Sequence, residues 1–195
     1  LLVDTKNKRM LENSNRGEYY YKYSEHDLIG REVELGKLED FLNSKSKYSY
    51  DFSWWMLWGK DIVGKSKLSY EFARKHASTW DWYMIGPGQI DDFIDKQISI
   101  NKRNRNLFIV FDDFDCYSGG ISRIFNFIKR VKRYCIKIRI LFIARDYKTS
   151  EICKIANDKA RKDEIRVMLL KSAYSTPEEI CQLSINSIKE ICYQY

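Results

Sequence analysis

Three groups of residues have the types and spacings to act on a phosphate ester. Gly59-Lys60-Asp61-Ile62-Val63-Gly64-Lys65-Ser66 fits the pattern G-x4-G-K-[ST] without a gap. A loop of this kind turns its backbone N–H groups inward around an anion, and the next helix points its positive end at the same charge. Lys65 would reach the terminal phosphates of a nucleoside triphosphate, and the Ser66 hydroxyl would help hold Mg²⁺. Gly59, Gly64 and Lys67 complete the expected nucleotide contacts within this segment. The second group is Asp112-Asp113-Phe114-Asp115, where acids follow an apolar run. Asp112 would hold the Mg²⁺ shell, directly or through water, and Asp113 would orient or deprotonate an attacking water. The third is Ala144-Arg145-Asp146, whose guanidinium would read a γ-phosphate and stabilise transition-state charge. Taken singly, an acidic turn or an arginine leaving a strand is ordinary protein surface, so the specificity lies in the ordered set.

Elements must bring these groups together. Trp54-Trp55-Met56-Leu57-Trp58 is an apolar run that leads directly into the loop, and 65–73 reads as a helix with Leu68, Phe72 and Ala73 on one side. Leu107-Phe108-Ile109-Val110-Phe111 is unbroken apolar sequence of strand length, as parallel strands covered on both faces require. Ile138 to Ala144 is a run of the same kind. Two more strands are expected, at Trp80 to Ile85 before the turn Gly86-Pro87-Gly88, and at Ile165 to Leu170. Helices are expected over about 33–43, 90–98 and 120–135, and a closing helix from Thr176, with Pro177 in its first turn and Glu179 completing a capping box. Strands alternating with helices predict an α/β fold built on a parallel sheet, whose carboxyl-end crevice would hold the ligand.

Composition narrows the class. A chain of 195 residues suits one domain, or one domain with a small appendage, and 44% hydrophobic content argues against disorder. No window approaches the ~18 uninterrupted apolar residues of a membrane span, so no membrane partner is expected. The five cysteines, Cys116, Cys135, Cys153, Cys181 and Cys192, are odd in number and lack C-x-x-C spacing. That argues against a disulfide framework or zinc knuckle and fits a reducing cytoplasm better. His26 and His76 stand apart with no neighbouring ligand set and read as surface or packing residues. The first residue is Leu and no signal-peptide pattern follows, so the chain reads as an excised part of something longer.

The formal charge of +7 raises nucleic acid as a partner. Basic residues cluster at 101–106 and from Lys129 to Arg139. In the second cluster Ile121, Ile124, Ile128, Val131 and Cys135 form a helical stripe with Arg123, Lys129, Arg130 and Arg133 opposite, which is the pattern of any amphipathic surface helix. A solvated basic face and a surface for nucleic acid both remain open on this pattern.

The order of the motifs is similar to that of a known family. Ile29-Gly30-Arg31-Glu32, the strand and loop ending Gly64-Lys65-Ser66, the strand ending Asp112-Asp113 and the later strand ending at Arg145 resemble the nucleotide-binding domain of STAND-class signalling NTPases, which include NACHT and NB-ARC proteins and bacterial antiviral sensors. The opening Phe52-Ser53-Trp54-Trp55 is similar to bacterial members with paired tryptophans. The resemblance covers about residues 28–190. It implies a P-loop NTPase with a five-stranded parallel sheet flanked by helices, the phosphate-loop strand at its centre, and a C-terminal helical extension. It further implies ATP or ADP bound with Mg²⁺, adenine near the lead-in where Ile29 and Arg31 match the family's positions around the base, and Arg145 as the γ-phosphate sensor. Residues 1–24 would be a linker or lead-in, 25–172 the nucleotide-binding domain and 173–195 the start of a helical lid. Homo-oligomerisation would follow activation, with sensor and effector domains outside this chain.

One departure from the family bears on function. Asp61 and Ile62 stand where small residues are expected; a carboxylate there would repel phosphate, and a β-branched residue disfavours positive φ. Either Ile62 takes a negative φ, or nucleotide binding is weakened or lost. Three functions follow for comparison: an ATP-dependent switch with slow hydrolysis, an AAA-type ATPase that remodels DNA or protein, and a degenerate scaffold that binds no nucleotide.

Overall fold

The computed structural model describes residues 3–4, 9–10, 28–46, 50–99, 103–117 and 119–183. Two short strands, β1 (Val3–Asp4) and β2 (Arg9–Met10), pair antiparallel. Helix α1 (Glu32–Asn43) precedes the phosphate-loop strand β3 (Phe52–Trp58), which feeds α2 (Lys65–Lys75). Then follow β4 (Asp81–Ile85), α3 (Ile90–Ser99), β5 (Arg105–Phe111), α4 (Gly120–Val131), β6 (Cys135–Ala144), α5 (Glu151–Asn157), α6 (Glu164–Ser172) and β7 (Glu178–Glu179).

The main sheet has the order β4-β5-β6-β3-β7 and every pairing in it is parallel. Parallel neighbours require crossovers, and the helices that provide them cover both faces. One face packs Phe52, Trp54, Met56, Ile109, Phe111 and Phe142 beneath α3 to α6; the other packs Trp55, Leu57, Phe108, Leu141 and Ile143 beneath α1 and α2. Alternate residues of β3 thus enter opposite layers, which explains why the strand is apolar without interruption. The expected five-stranded parallel sheet flanked by helices is present.

Three expectations are corrected. The phosphate-loop strand is internal but not central, because β6 occupies the middle of the sheet. The run Ile165 to Leu170 is helical: Asp163 caps it by accepting the Arg166 N–H at 2.9 Å, and Ile165, Met168, Leu169 and Ser172 bury a face at helical spacing. Thr176, Pro177 and Glu179 do not start a helix, since Glu178–Glu179 instead forms β7 along the outer side of β3. The reason is an edge that needs partners. Carbonyl oxygens of Trp54 and Trp58 accept from the N–H groups of Tyr174 and Ile180 at 2.9 and 2.7 Å, and β-pairing satisfies more of that buried edge than a local cap would. The paired tryptophans help to anchor the same segment through their indoles, Trp54 Nε1 donating to Leu169 O and Trp55 Nε1 to Thr176 O. Any lid helix beyond residue 183 lies outside the described residues, as does His26.

The basic helix α4 buries Ile121, Ile124, Phe125, Phe127, Ile128 and Val131. On its outer face Arg123 pairs with Asp91 and Lys129 with Glu164, each at 2.8 Å. Two of its basic side chains therefore have acidic partners within the fold. His76 follows the last turn of α2 and lies 2.8 Å from Glu39, a packing role.

Candidate functional site

The loop between β3 and α2 carries left-handed or glycine-type backbone at three positions. Gly59 has φ 148°, Ile62 70° and Gly64 87°. Gly59 cannot be replaced without rearrangement, because a Cβ there would lie 2.4 Å from the carbonyl oxygen of Ile180. Ile62 adopts positive φ, the alternative that the sequence linked to weakened or lost nucleotide binding; the loop keeps a strained turn instead of relaxing to an ordinary one. Its side chain is fully exposed, so it does not plug the loop.

Lys65, Ser66 and Asp112 converge from separate segments. Ser66, in the first turn of α2, donates its hydroxyl to Asp112 Oδ1 at 2.9 Å. Lys65 is buried and its ammonium spans the loop, donating to the carbonyls of Gly59 and Lys60, both at 2.7 Å. Burial draws the Lys65 pKa below its ordinary value, against the opposing pull of Asp61, Asp112, Asp113 and Asp115. Burial also pushes the Asp112 carboxyl up to about 6, although the Ser66 hydroxyl favours its ionised form. A desolvated carboxylate facing a hydroxyl, beside a cation at the head of a helix, is a site short of positive charge and suited to a hard divalent ion.

The other predicted residues surround this centre. Asp113 follows Asp112 with φ 48°, is exposed, and donates its N–H to Asp112 Oδ1 at 3.0 Å. Lys67 is half-buried in the first turn of α2, next to Ser66. Ile29 is half-buried in the lead-in to α1. Arg31 is buried and acts as a clamp: its guanidinium donates to Val63 O at 2.7 Å and Cys181 O at 2.8 Å, and pairs with Glu34 at 2.6 Å. It therefore ties the lead-in to the phosphate loop and to the segment after β7. A cleft of about 270 Å³ lies between those last two, lined by Lys60, Val63, Glu179, Ile180, Cys181 and Gln182.

Arg145 reaches the loop as well. Its Nε lies 3.5 Å from Asp61 Oδ1, and its backbone N–H donates to Asp115 Oδ2. Asp115 was visible in the acidic run but not singled out, and the Asp61 contact was not foreseen. Only the sheet order could bring them together, since β6 lies between β5 and β3 and delivers Arg145 between the acidic turn and the loop.

No family model matches the sequence, and no curated protein is significantly similar to it. Solved structures do match. Cdc6p from Pyrobaculum aerophilum superposes with a TM-score of 0.60 at 14% identity, covering 90% of this chain and 52% of that one. The fold is that of the P-loop NTPases. A Thermotoga maritima RuvB mutant gives a TM-score of 0.56 at 13% identity, covering 86% of this chain and 51% of its own. Aeropyrum pernix Orc1, solved in complex with DNA, gives 0.53 at 12% identity, covering 86% and 49%. The chain thus spans about half the length of each of these structures. At such identities the likeness concerns the fold.

Among the described residues no helix is long and apolar enough to cross a membrane. Nor does any group of three His, Cys, Asp or Glu side chains among them stand close enough to hold a metal ion by itself. Ser66 and Asp112 fit Mg²⁺ that completes its shell with phosphate oxygens and water.

Proposed function

We propose that this chain binds ATP with Mg²⁺ and serves as the switch and oligomerisation domain of a cytoplasmic STAND-type signalling or antiviral defence protein. The observation that carries the reading is the 2.9 Å contact between Ser66 and Asp112, with the Lys65 ammonium held across the adjoining loop. Mg²⁺, when bound, would neutralise charge on the terminal phosphates. Lys65 would move from the two carbonyls to the phosphates. Asp112 would hold the ion's shell, Asp113 would orient water, and Arg145 would engage the γ-phosphate. Gly59, Gly64 and Lys67 would line the phosphates, while Ile29 and Arg31 frame the base. Asp113 in the place of a longer glutamate base suits slow hydrolysis, and slow turnover suits a switch.

The structural likeness to Cdc6p, RuvB and DNA-bound Orc1 favours a second reading, an AAA-type ATPase acting on DNA or protein. Measuring nucleotide affinity, turnover and particle mass for the parent and Lys65→Ala, with and without DNA, tests both. The switch reading expects binding and assembly to be lost in the variant, with little effect of DNA. Fast DNA-stimulated hydrolysis would replace it with the second reading. Identical behaviour of parent and variant would leave only a nucleotide-free scaffold.

A further inference from the structure

Asp61 is an acid in a loop that wraps phosphates, and electrostatics alone makes that unfavourable. Its position supplies a reason. Asp61 Oδ1 faces Arg145 Nε at 3.5 Å, with the two side chains 64% and 50% exposed. The backbone of Arg145 is meanwhile pinned, because its N–H donates to Asp115 in the turn after β5. A fixed pivot thus carries a guanidinium that remains half in water and lies against a carboxylate. Exposed ion pairs of this kind are weak and exchange partners at little cost.

Resting on the nucleotide-binding reading above, we propose that Asp61 is a specificity-determining brake. It holds Arg145 while no γ-phosphate is present and releases it when a triphosphate binds. A γ-phosphate carries more charge than one carboxylate and presents several acceptor oxygens, so it outcompetes Asp61 for a guanidinium. A diphosphate brings no such group, and Arg145 stays on Asp61. Diphosphate and empty states therefore share one arrangement of Arg145, and the triphosphate state has another. Asp61 sets how much triphosphate is needed to pass between them.

The test is a double-mutant cycle with Asp61→Asn, Arg145→Ala and the double variant, titrated with ADP and with a non-hydrolysable ATP analogue, both with Mg²⁺. Both positions are exposed, so the variants should fold, and thermal unfolding verifies this. The proposal expects Asp61→Asn to tighten analogue binding by about two- to fivefold more when Arg145 is present than when it is absent. For ADP the effects of the two substitutions should simply multiply. Simple repulsion between Asp61 and phosphate would make the substitutions independent for both ligands, and that result would overturn the brake while leaving nucleotide binding intact. Lys65→Ala separates the two claims: if the parent and Asp61→Asn bind neither ligand, or bind as well without Lys65, the nucleotide reading falls and the brake falls with it.

Discussion

Arg139 within β6 and Arg145 just beyond its end have the same chemistry and opposite surroundings. Arg139 is fully buried, and its guanidinium donates to the carbonyls of Phe41, Ser44, Asp51 and Ile138 while pairing with the Asp51 carboxylate at 2.7 Å. Burial draws its pKa down, and Asp51 opposes the shift, so charge and partner depend on each other. Arg145 stands half exposed at a longer 3.5 Å from Asp61. A guanidinium whose donors are filled by backbone carbonyls is a cross-link that holds the end of α1 to the sheet. One left at the solvent edge beside a weakly held carboxylate is able to change partners. The difference lies in where the strand emerges, since the carboxyl end of a parallel sheet opens onto the crevice and the interior of the strand does not.

The sharpest way to break this comparison is Arg139→Ala. It leaves a half-buried Asp51 carboxylate and several carbonyls without their cation, and should cost about 3–5 kcal/mol in urea unfolding. Nucleotide affinity of the remaining folded protein should be unchanged. A loss below about 1 kcal/mol would mean that the buried arginine is no more structural than the exposed one.

Asp112 extends the comparison to acids. Its carboxyl titrates near 6 in the metal-free fold instead of near the ordinary 3.8, so the native state binds the extra proton between those values. Stability from this group is greatest below about pH 4, falls as pH rises toward about 6, and is level above. Asp112→Asn should therefore flatten the stability difference between pH 4 and 7, and gain up to about 3 kcal/mol at pH 7 without metal. A variant that is less stable at pH 7 would show that ionised Asp112 is a structural acid instead of one held ready for a cation.

Ile62→Gly should stabilise the protein by up to about 1 kcal/mol, because glycine relieves positive φ but loses part of that gain to the freedom of its unfolded chain. Destabilisation would show that the exposed isoleucine has a packing role not seen here. Least of all, Arg145→Ala should change unfolding by under about 0.5 kcal/mol while weakening triphosphate binding, separating ligand chemistry from stability at this end of the strand.

Much of the scaffold was legible because its strands are apolar on both faces. Trp54 to Trp58, Leu107 to Phe111 and Ile138 to Ala144 can be stable only inside a covered sheet, and that is where they lie. The run at 165–170 failed as a strand because its apolar residues satisfy either period, and Asp163 was the overlooked signal that decides for a helix. Thr176 and Pro177 failed for a different reason: a good local cap lost to the unpaired edge of β3. The meeting of Ser66 with Asp112 was readable from motif order, whereas the clamp made by Arg31 and the contact of Asp61 with Arg145 were not.

Residue types and their spacing were enough to determine the glycine-bounded loop after β3, the acidic strand end and a parallel sheet with covered faces, because those depend on short-range sterics and on burial patterns within single segments. Tertiary structure alone decided that β6 lies between β5 and β3, that Glu178–Glu179 completes the sheet, and that Asp61 faces Arg145. The physical reason is that segments far apart in the chain compete for the same edges and charges, and that competition is resolved only when all of them are folded together.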